Sequence, residues 1–90
     1  MNRVHGVVSG RVQGVGFRYF TFTTAISNHI TGWVRNCSDG TVEFEAQGQE
    51  SDLNHFLTLI EKGQFPAKVT NLKTDSIEVD LREGKFKILN

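Results

Sequence analysis

Residues 31–48, TGWVRNCSDGTVEFEAQG, restrict the fold of this chain more than any other segment, because they predict two strands joined by a tight turn. Asp39 and Gly40 form a dipeptide that is typical of hairpin turns. Beyond the turn, apolar residues alternate with polar ones, and the apolar set is Val42, Phe44 and Ala46. A period of two places these side chains on one face of a sheet. We therefore expect them in a core, together with Trp33, and we expect the intervening glutamates to face water.

Two other segments carry apolar residues at helical spacing. Residues 51–63 give the clearer pattern, for which Ser51 can cap the first turn and Gly63 can end the helix. Its apolar residues are Leu53, Phe56, Leu57 and Ile60. Residues 18–30 give a weaker pattern, with a stripe formed by Tyr19, Phe22, Ile26 and Ile30 beside Ala25. We predict a helix in each segment.

Three further strands flank these elements. The β-branched residues of segment 4–10 predict the first strand, and residues 85–90, KFKILN, predict a short closing strand. Segment 65–82 contains another strand, marked by Ile77, Val79 and Leu81 alternating with charged residues. The order β-α-β-β-α-β predicts an α+β, ferredoxin-like sandwich, with a mostly antiparallel sheet of four or five strands and two helices on one face. At this length we expect residues 1–90 to form a single domain.

The charge balance and the cysteine count exclude several classes of function. Ten Lys and Arg balance ten Asp and Glu, so we expect neither a nucleic-acid partner nor a membrane-surface partner. Cys37 is the single cysteine and no Cys/His cluster has zinc spacing, so we expect no metal and no cofactor. No apolar run approaches the roughly 20 residues of a membrane span, and none resembles a signal peptide. We expect a cytoplasmic monomer.

The glycine-rich segment 10–20, GRVQGVGFRYF, is the strongest candidate for a binding site. Gly14 and Gly16 supply two glycines of a dinucleotide-binding motif, but Tyr19 stands where the third is required, and no P-loop lysine follows. The segment also matches part of an RNA-recognition motif. However, Val15 replaces a base-stacking aromatic, and the segment follows the first strand instead of lying on the third. Both nucleotide-related interpretations therefore fail at defined positions.

A third interpretation is an anion-binding loop. A glycine turn between a strand and a helix can direct successive backbone N–H groups at one point, where the positive end of the helix dipole also acts. Arg18 at the head of the helix can bind the same anion with its planar guanidinium group. Taken alone, the loop leaves two alternatives open, an anion site and an ordinary turn.

Two long motifs together resemble the acylphosphatase family. The first is GRVQGVGFR at 10–18 and the second is GWVRNCSDGTVEFEAQG at 32–48, with the spacing between them preserved. Segments 63–69 and 86–88 also resemble the corresponding parts of the family. The resemblance implies the ferredoxin-like fold and an enzyme that hydrolyses the carboxyl–phosphate bond of small-molecule acyl phosphates, giving a carboxylate and inorganic phosphate.

The resemblance also implies roles for individual residues. Arg18 corresponds to the catalytic, phosphate-binding arginine, and Asn36 corresponds to the asparagine that positions the attacking water. The implied phosphate-binding loop comprises Gln13, Gly14, Val15, Gly16, Phe17 and Arg18. Cys37 stands where many relatives carry threonine, and its thiol is a poor hydrogen-bond donor. A non-catalytic phosphate- or anion-binding module with the same fold remains the alternative function.

Overall fold

We describe a computed structural model of the chain that covers residues 1–90. It contains β1 (Asn2–Arg11), α1 (Phe17–Ser27), β2 (Thr31–Asn36), β3 (Val42–Gly48), α2 (Glu50–Lys62), β4 (Lys68–Ile77) and β5 (Phe86–Ile88). The strands form one sheet in the order β4-β1-β3-β2-β5. The first four pair antiparallel, and β5 joins β2 in parallel. The predicted ferredoxin-like α+β sandwich is therefore confirmed.

The core lies between one face of the sheet and the two helices. Val42, Phe44 and Ala46 are fully buried, as their alternation predicts. The ring of Phe44 meets that of Phe56 on α2 edge to face, with centroids 5.7 Å apart. A side chain at Gly6 on the neighbouring strand β1 would collide with the ring of Phe44, so the strand needs a glycine there. The predicted hairpin thus supplies the centre of the core.

Helix α1 and the residues after it bury only part of the predicted apolar stripe. Tyr19 and Ile26 are 65% and 54% exposed, whereas Ala25 and Ile30 are buried in the core and Phe22 packs against it. The buried residues of the helix are Phe17, Thr21, Thr24 and Ala25. The two threonine hydroxyls donate hydrogen bonds to the carbonyl oxygens four residues earlier, at 2.9 and 2.7 Å. Because their hydroxyls are paired within the helix, these threonines can be buried at little cost.

Helix α2 contains the predicted segment but begins earlier. Its N-cap is Gln49, whose carbonyl oxygen accepts the first helical hydrogen bond from the Leu53 N–H at 2.9 Å. Ser51 therefore lies inside the first turn, and its prediction as the cap is wrong. Gly63 ends the helix as predicted, with a φ of 70° that favours glycine. Of the predicted apolar face, all but the half-buried Leu57 lie in the core.

Strand β4 also differs from its prediction. It runs from Lys68 to Ile77 and pairs along the length of β1, so Val79 and Leu81 fall in the loop that follows. Leu81 is 89% exposed, and its alternation with charged residues does not reflect a strand. The true strand consists mostly of polar residues such as Lys and Thr, because an edge strand gains its stability from backbone pairing and tolerates polar side chains.

The sheet face opposite the helices carries a layer of charged side chains. The guanidinium group of Arg3 is 5% exposed and pairs with Glu45 at 2.8 Å and with Glu83 at 2.7 Å. It also donates to Gln47, whose amide binds the backbone of Asp80 in the loop between β4 and β5. These contacts attach that loop to the sheet.

The β3 glutamates therefore do not face water freely, contrary to the prediction. Glu43 lies 2.6 Å from the His5 ring and 2.6 Å from the Arg35 guanidinium. The hydrogen bond with His5, followed by the contact with Arg35, lowers the pKa of the Glu43 carboxyl below its ordinary value. Trp33 lies on this same face with Arg35 5.9 Å from its ring centre, so the prediction that it packs in the core is wrong.

We expect Arg3→Ala to lower the free energy of unfolding by about 2–4 kcal/mol, because it leaves Glu45 and Glu83 without their cation. Arg82→Ala is the matched control. Arg82 is 93% exposed and makes one weak ion pair, so the change should stay within about 0.5 kcal/mol. Urea unfolding of both variants measures the difference. Equal stabilities would contradict a structural role for the buried guanidinium.

Candidate active site

The loop between β1 and α1 opens onto a small cavity. Gly14 and Gly16 have φ values of 73° and 78°, a region that side chains rarely adopt. A Cβ atom at either position would meet no other atom within 4 Å. The glycines thus shape the loop backbone and leave the space above it free for a ligand.

The loop presents a run of unpaired backbone donors. The first helical hydrogen bond of α1 runs from the Phe20 N–H to the Gly16 carbonyl at 3.0 Å. The N–H groups from Gly14 to Arg18 donate to no acceptor within the chain. The side chains of Val15 and Phe17 pack in or against the core. Free amides at a helix N-terminus favour a bound anion.

The cavity encloses about 250 Å³. It is lined by loop and α1 residues, by the end of β2 and by β5: Val12, Gly14, Gly16, Phe17, Arg18, Tyr19, Asn36 and Ile88. Arg18 and Asn36, which lie on separate elements, supply polar side chains to it, and Tyr19 adds a hydroxyl group. The two residues singled out from the sequence therefore meet in one space.

Asn36 is the last residue of β2, and its side chain lacks a partner. Its Oδ1 atom is buried without a hydrogen bond. A buried acceptor left unpaired costs about 1–3 kcal/mol, and such atoms call for an explanation in a native fold. Asn36 also lines the cavity, and a rotation of its carboxamide would present the oxygen to a water molecule or a ligand there.

Arg18 is held in place by the end of the chain. Its Nη1 atom donates to the Leu89 carbonyl oxygen at 3.0 Å, just beyond β5. A guanidinium group has five N–H donors, so this contact orients the group and leaves other donors for an anion. No sequence pattern predicts the contact between Arg18 and Leu89, because this contact depends on the pairing of β5 with β2.

The Gln13 side chain, which belongs to the predicted phosphate-binding loop, makes two hydrogen bonds within the chain. Its Nε2 atom donates to the carbonyl oxygens of Cys37 and Thr41, each at 2.8 Å. These bonds fasten the glycine loop to the β2–β3 turn, immediately beyond Asn36. Asp39 shapes the same turn by accepting hydrogen bonds from Thr41, in keeping with its prediction as a turn residue.

Two further observations concern metal binding and membrane insertion. No three His, Cys, Asp or Glu side chains lie close enough together to hold a metal ion. Neither helix is long and apolar enough to span a bilayer.

Tyr19 and Ile88 also line the cavity, and sequence reasoning missed both. The helical spacing predicts Tyr19 in the core stripe, and nothing in the sequence places β5 beside the glycine loop.

Fold and cavity together define a ferredoxin-like protein with a small pocket lined by backbone donors. A sequence profile described as Acylphosphatase matches residues 4–88. The acylphosphatase of Geobacillus thermodenitrificans is 51% identical over 89 residues, which cover 99% of this chain and 95% of that protein. The one from Clostridium acetobutylicum is 50% identical over 82 residues, covering 91% and 90%. The crystal structure of acylphosphatase from Bacillus subtilis matches with a TM-score of 0.95 at 37% identity and covers 100% of both chains.

The chain belongs to the acylphosphatase family, which is a family of hydrolases. The resemblance drawn from the two sequence motifs is thereby confirmed over nearly the full length.

Proposed function

We propose that this chain is a metal-independent acylphosphatase that uses the glycine loop, Arg18 and Asn36 to hydrolyse a small acyl phosphate. Family membership supports the activity itself. One observation supports the assignment of residues: free loop amides, the Arg18 guanidinium group and the carboxamide of Asn36 belong to residues that line the same cavity of about 250 Å³.

The phosphoryl group would occupy the loop. The amides from Gly14 to Arg18 would donate to its oxygens, and the Arg18 guanidinium would complete the set of donors. Phosphoryl transfer passes through a loose transition state in which negative charge spreads over the equatorial oxygens. Donors fixed in advance around those oxygens stabilise that charge without reorganisation.

The attacking water would be held by Asn36. The Asn36 side chain lines the cavity, and its oxygen has no partner within the chain, so the carboxamide can rotate to accept a hydrogen bond from this water and hold it in place. The water oxygen forms a bond to phosphorus while the bond from phosphorus to the acyl oxygen breaks. Since a carboxamide is no base at neutral pH, the proton of the water passes to a phosphoryl oxygen.

The leaving group makes an acid or a metal unnecessary. A carboxylate has a conjugate acid of pKa about 4, so it departs as an anion without receiving a proton. The loop amides and Arg18 take the place that a metal ion fills in other phosphoryl-transfer sites. Positioning and electrostatic stabilisation then supply the catalysis.

Hydrolysis of benzoyl phosphate, measured with and without a chelator such as EDTA, tests the proposal. We expect the same turnover in both conditions. Turnover that stops with the chelator and returns with Mg²⁺ would contradict metal independence. Phosphate binding with no turnover above the rate in buffer would favour the alternative, a non-catalytic anion-binding module.

We also propose that residues 1–90 act as a single domain and a monomer on a small-molecule substrate in the cytoplasm, without a nucleic-acid or membrane partner. The zero net charge and the single hydrophobic core support this. A gel-filtration mass near 10.1 kDa would agree with a monomer, and retention on single-stranded RNA at moderate salt would contradict the absence of a nucleic-acid partner.

A further inference from the structure

One side of the cavity is apolar, and phosphate chemistry makes no use of it. Val12 and Phe17 line the cavity and are almost fully buried. Tyr19 and Ile88 line the same cavity but are 65% and 41% exposed. Exposed apolar surface beside a polar site often marks where a ligand binds.

The exposed ring of Tyr19 packs on one side against another aromatic ring. It stacks on Phe22 with ring centres 6.2 Å apart and planes inclined by 29°. Phe22 in turn contacts Phe86 of β5, with ring centres 6.4 Å apart. Ile88 lies two residues beyond Phe86 on that strand, on the same side of the sheet. The two apolar side chains therefore belong to rigid elements that join at the core, and they need little ordering when a ligand binds.

We propose that Tyr19 and Ile88 form the subsite for the acyl group, and that it selects aromatic or branched apolar acyl phosphates over short or charged ones. The inference rests on the proposed function, because it assumes that the phosphoryl group lies on the glycine loop. With that group on the loop and the water at Asn36, the exposed apolar lining that remains is Tyr19 and Ile88.

The charged side chains around the cavity also favour an uncharged acyl group. Arg18 is the only charged side chain that lines the cavity, and the phosphoryl group would occupy it. A carboxylate or an ammonium group on the acyl chain would therefore find no partner of opposite charge and would lose part of its hydration. An aromatic acyl group instead gains ring contact with Tyr19 and removes apolar surface from water.

Non-hydrolysable acylphosphonates test the subsite apart from catalysis. We expect the wild-type chain to bind benzoylphosphonate about 3–10 times more tightly than acetylphosphonate, the range of one aromatic contact. Tyr19→Ala should bring the ratio of the two dissociation constants close to one, and Ile88→Ala should reduce it. Tyr19→Phe keeps the ring and should keep the ratio. Ile26→Ala removes another exposed apolar side chain of α1, outside the cavity, and should also keep it.

Equal affinities in the wild-type chain, or a preference that survives both Tyr19→Ala and Ile88→Ala, would overturn the subsite. Hydrolysis of benzoyl and acetyl phosphate, measured in parallel, separates this result from failure of the proposed function. Selective binding without any turnover would retain the subsite and contradict the hydrolase. Turnover of both substrates with equal kcat/KM would retain the hydrolase and contradict the subsite.

Discussion

Arg18→Ala is expected to lower kcat/KM for benzoyl phosphate by about 10³–10⁵-fold, the range seen when a catalytic arginine is removed from a phosphoryl-transfer site. The loop amides remain in the variant, but the only charged group that lines the cavity is lost. The affinity for inorganic phosphate should fall as well, because Arg18 contacts the phosphoryl group before and during the reaction. Steady-state kinetics and phosphate competition measure the two effects.

Two controls separate charge from geometry. Arg18→Lys keeps the charge but loses the planar guanidinium group, so we expect activity between that of the wild type and that of Arg18→Ala. Arg11→Ala removes an exposed arginine at the end of β1, just before the loop, and should change kcat/KM less than twofold, about the scatter expected for a remote surface change. A value for Arg18→Ala within tenfold of the wild type would contradict the catalytic role.

The parts of the fold that the sequence predicts are those in which one local pattern decides the outcome. The β2–β3 hairpin and the apolar face of α2 follow directly from periodicity. Helix α1 does not, because Thr21 and Thr24 satisfy their hydroxyls within the helix and can be buried. Burial in α1 then depends on side-chain hydrogen bonds as well as on hydrophobicity, and a count of apolar residues finds only part of the buried face.

Strand β4 shows a different limit. Its residues are mostly polar, and the strand forms because β1 offers a free edge over residues Arg3 to Arg11. Propensity favours the more apolar segment that follows, in which Val79 and Leu81 alternate with charge. Pairing with a distant strand is a long-range interaction that no local window contains, so the tertiary contact overrides the local preference.

The candidate site, too, could be predicted from the sequence only in part. Arg18 and Asn36 stand out in the sequence through the two motifs, and the structure brings them to one cavity. The tasks of the surrounding groups could not be read from the sequence. The Gln13 side chain donates hydrogen bonds to the β2–β3 turn. Both Ile88 and the Leu89 carbonyl are brought to the site by the parallel pairing of β5 with β2.

Asn36→Ala should separate activity from stability. We expect kcat for benzoyl phosphate to fall by about 10²–10³-fold, the loss found when one positioned polar group is removed from a catalytic site. The affinity for inorganic phosphate should change little, because the loop amides and Arg18 remain. Kinetics, phosphate competition and urea unfolding of the same variant measure all three quantities.

Stability is the more diagnostic quantity of the three. The Oδ1 atom of Asn36 is buried without a partner, so its removal breaks no intramolecular hydrogen bond and relieves a desolvated acceptor. We therefore expect the free energy of unfolding to stay the same or to rise, although the residue lies at the end of a central strand. Asn71→Ala, at an exposed position of β4, should alter neither kcat nor stability appreciably. If Asn36→Ala unfolds more easily and keeps full kcat, Asn36 supports the fold and the water must be held by another group. A catalytic Asn36 instead predicts a lower kcat together with an unchanged or higher free energy of unfolding.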